Sequence, residues 1–343
     1  MLVKAAKKLA QRLDELLPAK SRVFFIYTHR NGFDRFCNGL KANTEISYWC
    51  YTALKEHFPR VSFLRLEKEK RARIDKISPH DVVIGHVGET FTQAARRTKK
   101  LITFQPWAGI EERCKEGFNC APKEVELGFF DQASTAILLT SEYNKREYFD
   151  QPRNFWYPYF QTFQTKKRVR LVHQPIDLTR FPRVKWEYKT DDFLYIGNDA
   201  YMKCVGDSKR LVEAVGRSLH LYGITRKIDH LNSSQVALLP KSADFFIQPG
   251  MWEAQCVSIL ESAARGFIPI VSPETGYPYE HPYLLRYGDF EYNLNVLKKL
   301  LRTSAEERKE LADFLHRQLV EDEHHNTWKK LTDVLVEEVA RLL

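Results

Sequence analysis

The chain has 343 residues and a formal charge of +9, from 53 Lys and Arg against 44 Asp and Glu. That length suits two ordinary domains, and 43% hydrophobic with 28% charged residues provides a large core and excludes general disorder. No run of about 18 apolar residues occurs, which excludes a membrane-spanning helix, and lysines interrupt the apolar start, so no secretory signal is expected. Six cysteines, Cys37, Cys50, Cys114, Cys120, Cys204 and Cys256, are scattered without a C-x-x-C, which points to a reduced cytosolic setting. The positive charge calls for an anionic partner: a nucleotide, an anionic lipid surface or a nucleic acid. Aromatics at 13% bring single-stranded nucleic acid into view, but no RNA-binding signature accompanies them, so nucleic acid is not expected.

In chain order, residues 2–17 predict an amphipathic helix. Leu2, Ala6, Leu9, Leu13, Leu16 and Leu17 form one face, Lys4, Lys7, Lys8 and Arg12 lie mainly elsewhere, and Pro18 stops it. It either packs on its own domain or lies on an anionic membrane surface. Val23–Tyr27 predicts the first strand, followed by a loop with Arg30 and Asn31 and a helix over 43–57. A strand over 61–66 precedes a basic cluster, KEKRAR, at 68–73, which reads as a solvated loop or an acceptor or membrane patch. A buried strand over 81–86 ends in Gly85-His86 beside Glu89, where a neutral imidazole could exchange hydrogen bonds with a hydroxyl. Strands follow at 101–105, 136–140 and 168–173, with Pro175 and Asp177 just beyond the last.

The second half opens with a strand, Phe193–Ile196, and a loop carrying Gly197, Asn198 and Lys203. A helix over 208–218 and a strand over Leu219–Tyr222 come next. The most informative stretch is 243–273, ADFFIQPGMWEAQCVSILESAARGFIPIVSP. Phe245, Phe246 and Ile247 make a short strand that Gln248, Pro249 and Gly250 break. Val257–Ala264 is helical in pattern and ends at Gly266, and 267–271 is a second buried strand. A unit of this length is a parallel βαβ crossover. Its first loop lies beyond the carboxyl end of a strand, where open α/β sheets bind ligands, and the helix N-terminus there favours an anion. Glu253 in that loop and Glu261 in the helix could hold ligand hydroxyls, so phosphate plus polyol, a nucleotide sugar, is the ligand described. Helices follow at 294–301, 305–319 and 327–343. The charge run 321–325 reads as a solvated helix start rather than a metal site. No D-x-D, G-x-G-x-x-G, Walker A, zinc ligand set or G-x-S-x-G is present, and no internal repeat stands out.

The 243–273 stretch resembles the E-x7-E segment of the retaining GT-B glycosyltransferases, which include glycogen and sucrose synthases and bacterial polysaccharide transferases. Pro249, Glu253, Leu260, Glu261, Ala263, Gly266, Pro269 and Val271 fall in step with the family pattern. Gly197 and Lys203 keep its G-R-x-x-x-x-K-G spacing, and His86 matches the last His of D-V-V-H-A-H. Three departures stand out: Ala254-Gln255-Cys256 replace G-F-G, Asn198 replaces Arg, and Cys204 replaces Gly. The resemblance implies an α/β fold of two Rossmann-like domains with parallel sheets facing across a cleft. Residues 1–175 would bind the acceptor, 176–326 would bind the donor, and the helix of 327–343 would cross back to the first domain.

It also implies a metal-independent, retaining hexosyltransferase with no cofactor. A nucleoside-diphosphate sugar would be the donor and a glycan or lipid-linked molecule the acceptor. Glu253, His86 and Lys203 would be catalytic. Gly197, Asn198, Lys203, Glu253, Ala254, Gln255, Cys256, Val257 and Glu261 would bind the donor, Arg30 and Asn31 would face the acceptor, and the loop of 224–232 would cover the base. The expected location is cytoplasmic, with a membrane's inner face as the surface for the basic start. The alternatives are a non-catalytic GT-B binding protein and a basic single-stranded nucleic-acid binder.

Overall fold

The computed structural model describes residues 22–27, 46–58, 61–65, 74–85, 93–106, 133–139, 146, 161, 168–173, 175–176, 178–197, 203–222, 242–251, 256–322 and 328–343. The amphipathic start at 2–17, the basic cluster at 68–73, the loop of 224–232 and Asp177 lie outside them. Two parallel sheets organise the described chain. The first contains β1 (Val23–Tyr27), β2 (Val61–Arg65), β3 (Val82–Gly85), β4 (Leu101–Pro106), β5 (Thr135–Leu139) and β6 (Arg168–Val172), in the order β2-β1-β3-β4-β5-β6. The central strands are short apolar runs, as in β3 with all four residues buried, whereas the edge strand β6 carries Arg168 and Arg170 and is only partly buried. The alternation is visible in β3. Val82 and Ile84 join one core cluster with Cys50 and Leu54 of α1 (Ile46–His57), while Val83 joins another with Phe24, Ile74 and Leu101.

The second sheet contains β7 (Phe193–Ile196), β8 (Leu219–Tyr222), β9 (Phe245–Gln248) and β10 (Ile268–Val271), in the order β10-β9-β7-β8. Its helices are α2 (Val205–Ala214), α3 (Val257–Ala264), α4 (Phe290–Leu300) and α5 (Ala305–Glu321). Phe193, Phe245, Phe246 and Ile247 are fully buried between the layers. The last helix, α6 (Lys329–Leu342), leaves this unit and lies on the first sheet. Leu331, Val334, Leu335 and Val339 pack with Val23, Val82 and Ile137.

Several boundaries differ from the sequence expectation, and capping explains most of them. Helix α2 runs over Val205–Ala214 rather than 208–218, because Gly216 takes φ +66 and ends it. Gly216 N donates to Glu213 O at 2.9 Å and Arg217 N to Val212 O at 3.2 Å, the paired bonds of a Schellman stop. The same pair closes α3, where Gly266 N donates to Ala263 O and Phe267 N to Ser262 O, both at 3.0 Å. Phe267 is therefore held by the helix end and β10 starts at Ile268. Helix α4 begins at Phe290 rather than 294, because the Asp289 carboxylate accepts from Tyr292 N at 3.0 Å. Ser304 and Glu307 form a capping box at the start of α5, which runs on to Glu321. Glu321 thus ends a helix instead of beginning one, and Asp322 accepts from the Tyr279 hydroxyl at 3.3 Å. Gln248, expected to break its strand, is the last residue of β9 and pairs with Val271.

Candidate functional site

A parallel sheet offers a ligand site where strand order reverses, because the loops leaving the two central strands diverge there. In the second sheet that point lies between β7 and β9: the chain passes from β7 to β8 on one side, then returns to β9 on the other. The segments leaving the carboxyl ends of β7 and β9 lead to α2 and α3, and both bear expected site residues.

Gly197 follows β7 with φ +151, and its N–H donates to Tyr222 O at 3.0 Å. A Cβ at that position would be strained by the positive φ and would press on the Tyr195 hydroxyl at 2.9 Å. Lys203 stands just before α2, and Cys204 takes the left-handed conformation at φ +51 to start the helix. The Lys203 ammonium reaches across to Cys256 Sγ at 4.0 Å, joining the β7 segment to the N-cap of α3.

Cys256 is 3% exposed and gives α3 no side-chain cap bond. Its own N–H donates to Thr275 O at 3.0 Å, and the Ser272 hydroxyl donates to Gly250 O. The turn after β10, Pro273–Thr275, therefore holds both the β9 loop and the start of α3. On α3, Ile259, Leu260, Ser262, Ala263 and Ala264 are buried, whereas Val257, Ser258 and Glu261 remain partly exposed. Val257 and Glu261 are four residues apart and share that open stripe. The Glu261 backbone is thus about 6 Å along the axis from that of Val257. Beyond the turn, Tyr277 packs edge-on against Tyr279 and His281, and burial pushes His281 down to about 4, so its imidazole is neutral near pH 7.

The structure brings together Lys203, Cys256 and Val257, with Gly197 and Glu261 on the same two flanking elements. Asn198, Glu253, Ala254, Gln255, His86, Arg30 and Asn31 lie outside the described residues. In the first sheet β1 and β3 flank the corresponding reversal, with Ile26 opposite Gly85. Arg30 and Asn31 follow the first of these strands in sequence, and His86 the second. Sequence reasoning missed Gln248, Ser258, Ser272 and Thr275. The one available signal was Gln248 itself, a polar residue closing an apolar strand.

The sequence matches no family model and no curated protein. The fold does match solved structures. A sucrose-phosphate synthase from Thermosynechococcus elongatus superposes with a TM-score of 0.62 at 13% identity, over 94% of this chain and 99% of that one. An alpha-glucosyltransferase solved with UDP and DNA gives 0.54 at 12% identity, over 92% and 98%. TarM gives 0.54 at 11% identity over 77% of this chain and 55% of its own, so this chain spans about half the length of TarM. The two parallel α/β units follow the plan of these neighbours, and the chain has the GT-B fold.

Proposed function

We propose that this chain is a retaining, metal-independent glycosyltransferase that moves a sugar from a nucleoside-diphosphate sugar to a glycan or lipid-linked acceptor. The carrying observation is the meeting of the Lys203 ammonium with the α3 N-terminus at the reversal between β7 and β9. An ammonium beside a helix N-terminus whose N-cap side chain makes no cap bond suits a diphosphate, and as the glycosidic bond breaks it stabilises the charge growing on the leaving oxygen. Glu261, one turn along the open stripe of α3, suits the ribose hydroxyls. Glu253 would hold the donor sugar, while His86, Arg30 and Asn31 would meet donor and acceptor from the first sheet's reversal. The acceptor hydroxyl would attack on the face from which the diphosphate departs, and a phosphate oxygen would take its proton. Support for the ligand class comes from similar structures: TarM was solved with UDP and the alpha-glucosyltransferase with UDP-glucose. The lack of a D-x-D supports metal independence, with the diphosphate charge left to Lys203 and the helix N-terminus.

The test is a thermal-shift panel of nucleoside diphosphates. A true ligand at a hundredfold excess over its dissociation constant adds about 2.7 kcal/mol. Lys203→Met should remove the preference for diphosphate over nucleoside. No stabilisation by any nucleoside diphosphate would refute the proposal. Turnover should then survive EDTA, and loss restored by Mg²⁺ would overturn the metal-independent mechanism.

A second reading, a non-catalytic GT-B binding protein, is favoured by Cys256, whose side chain fills a place where the resembled family carries glycine. Binding of diphosphates without hydrolysis or transfer of any donor sugar would select it. Among the described residues no helix is long and apolar enough to cross a membrane. We assign the chain to the cytoplasm, with residues 2–17 as its contact to anionic lipid. Deleting them should lower binding to anionic vesicles and leave turnover of a soluble acceptor intact.

A further inference from the structure

Nucleotide-sugar chemistry leaves one strongly charged surface unused, at the amino edge of the first sheet. Two short turn segments, 74–80 and 93–99, lead there into β3 and β4. Thr98 ties them together, its hydroxyl lying 2.8 Å from Asp81 O and 3.3 Å from Pro79 O. Ile74, Ile77 and Ala94 anchor both from beneath, in one apolar cluster with Val83 and Leu101. The start of β1 joins them, since Arg22 Nη2 donates to Lys76 O at 2.6 Å. These ties hold the outward side chains of both segments on one firm surface.

Most of those side chains are cations. Arg22 is bonded to buried Asp81 at 2.9 Å and Arg97 to Asp75 at 2.8 Å. Lys76, Arg96 and Lys99 are exposed and Lys100 is partly so, and none of the four has an acidic partner among the described residues. Lys100 Nζ donates instead to Leu343 O at 3.3 Å. Farther along the same edge the balance differs, because Glu337 and Glu338 meet Arg168 and Arg170. Four like charges held together by the fold repel one another, and an anionic surface laid across them relieves that repulsion.

We propose that this amino edge is a docking surface for an anionic lipid bilayer. Two observations favour lipid over nucleic acid. Single strands are held by exposed aromatics between the cations, yet the exposed large aromatics among the described residues, Trp186, Tyr287 and Phe314, all belong to the second half of the chain. In the sequence, moreover, the segment of 2–17 closely precedes Arg22 and carries leucines beside its lysines, a composition that gains from acyl chains and not from phosphodiesters. The surface also orients the molecule. β1 has five residues, so its carboxyl end stands about 16 Å from the docked edge, on the far side of the sheet. A lipid headgroup does not reach that side, so the acceptor is a soluble glycan or one that extends well away from the membrane. That consequence alone rests on the proposed function.

The experiment measures binding of the full chain to mixed phosphatidylcholine and phosphatidylserine vesicles by sedimentation. The variant combines Lys76→Gln, Arg96→Gln and Lys99→Gln, three exposed positions, and its melting temperature confirms that it is folded. Each cation at such a surface contributes about fivefold in affinity, so the variant should bind on the order of a hundredfold more weakly. Residues 2–17 are intact in both proteins and cannot cause the difference. Equal binding of the two proteins, or no binding by either, overturns the proposal. Binding of single-stranded oligothymidylate at physiological salt that the three substitutions abolish, without loss of vesicle binding, assigns the surface to nucleic acid and also overturns it. UDP affinity is then measured with and without saturating vesicles. An unchanged affinity supports both the docking surface and its place opposite the donor site. Competition between vesicles and UDP puts the lipid on the carboxyl side and overturns the proposal. UDP that fails to bind even without vesicles refutes the donor site, while the loss of vesicle binding in the variant still establishes the lipid surface.

Discussion

Glu337 and Glu338 stand side by side on α6, carry the same charge and meet the same two arginines of β6. Glu338 accepts from Arg168 Nε at 2.6 Å and Arg170 Nη1 at 2.8 Å; Glu337 accepts from Arg168 Nη2 at 3.0 Å and Arg170 Nη1 at 2.9 Å. They differ in burial, the Glu338 side chain being 0% exposed and that of Glu337 55%. Glu338 also receives Arg341 Nε at 3.0 Å and the Thr135 hydroxyl at 3.3 Å. Replacing Glu338 by Gln keeps the shape and removes the charge. Three guanidinium groups lose their shared anion, and the new amide nitrogen meets groups that are themselves donors. Breaking a buried ion pair by removing one partner costs about 3–5 kcal/mol. Arg168 and Arg341 are 44% and 40% exposed, so water screens part of the loss, and about 2 kcal/mol is expected.

In a domain of this size that lowers the melting temperature by roughly 4–8 °C and speeds hydrogen exchange along α6. Glu337→Gln, at a solvated position, should leave the melt where it was. A second check comes from pH. Burial works to raise the Glu338 carboxyl, but the bonds from Arg168, Arg341 and Arg170 outweigh it and hold it below the usual carboxylate range. The stability it contributes is therefore present above the ordinary glutamate value of about 4.3 and is lost as pH falls below it. The gap between wild type and Glu338→Gln should close in acid. Equal melts for Glu338→Gln and wild type, or equal losses in the two Gln variants, would refute the argument that burial rather than charge count seats α6.

Gly266→Ala should destabilise by about 2 kcal/mol in a denaturant titration, because φ is +95 and the new methyl would lie 2.6 Å from Lys185 O. His281 titrates from the ordinary 6.5 when unfolded to about 4 when folded, so the unfolded chain takes up the proton first and stability falls by about 3 kcal/mol as pH drops through that window. His281→Asn should flatten that part of the pH–stability profile, and an unchanged slope would show that other groups set it. For the proposed donor site, Glu261→Gln should mainly raise donor KM, since ribose contacts do not change during reaction, while Glu253→Gln should lower kcat by on the order of 10²-fold. Full activity per folded molecule in both variants would remove these two residues from the site.

The central strands were legible because both of their faces are buried, so Val82–Gly85 is one apolar run in which every residue is buried. Helix ends were less legible where a single cap decides them. The sequence expectation began α4 at 294, and the Asp289 carboxylate, capping the helix, adds a full turn ahead of it. Glu321 looked like the start of a charged helix because nothing in its neighbours announces that α5 continues to it. At the site, Lys203 and Cys256 could each be nominated from the end of its own strand. Their contact could not, since it depends on β9 lying beside β7 although β8 intervenes in the chain. Gln248 escaped for a related reason: what singles it out is an amide nitrogen with no partner among the described residues, which only side-chain positions reveal.

The sheet order also exposes a correspondence that the sequence hides. Each half begins with the same path, a first strand with the second on one side and the third on the other: β1, β2 and β3 in one sheet, β7, β8 and β9 in the other. Immediately before each third strand stands a fully buried aspartate, Asp81 and Asp244. Each accepts a backbone N–H from just ahead of the first strand, Arg22 N at 2.9 Å and Asp191 N at 3.2 Å. Each is also met by a cation, Arg22 Nη2 at 2.9 Å and Lys185 Nζ at 2.7 Å. A carboxylate bonded to backbone and cation together is costly to displace, and the Asp81 carboxyl lies below the usual range: burial opposes this, and its bonds with Arg22 and Ser78 prevail. In both halves this bond fastens the third strand to the first at the amino edge. Those are the same two strands whose carboxyl ends flank the proposed ligand position. The lock and the proposed site therefore sit at opposite ends of one strand pair, and the loops at the carboxyl end can vary while the geometry that presents them stays fixed from below.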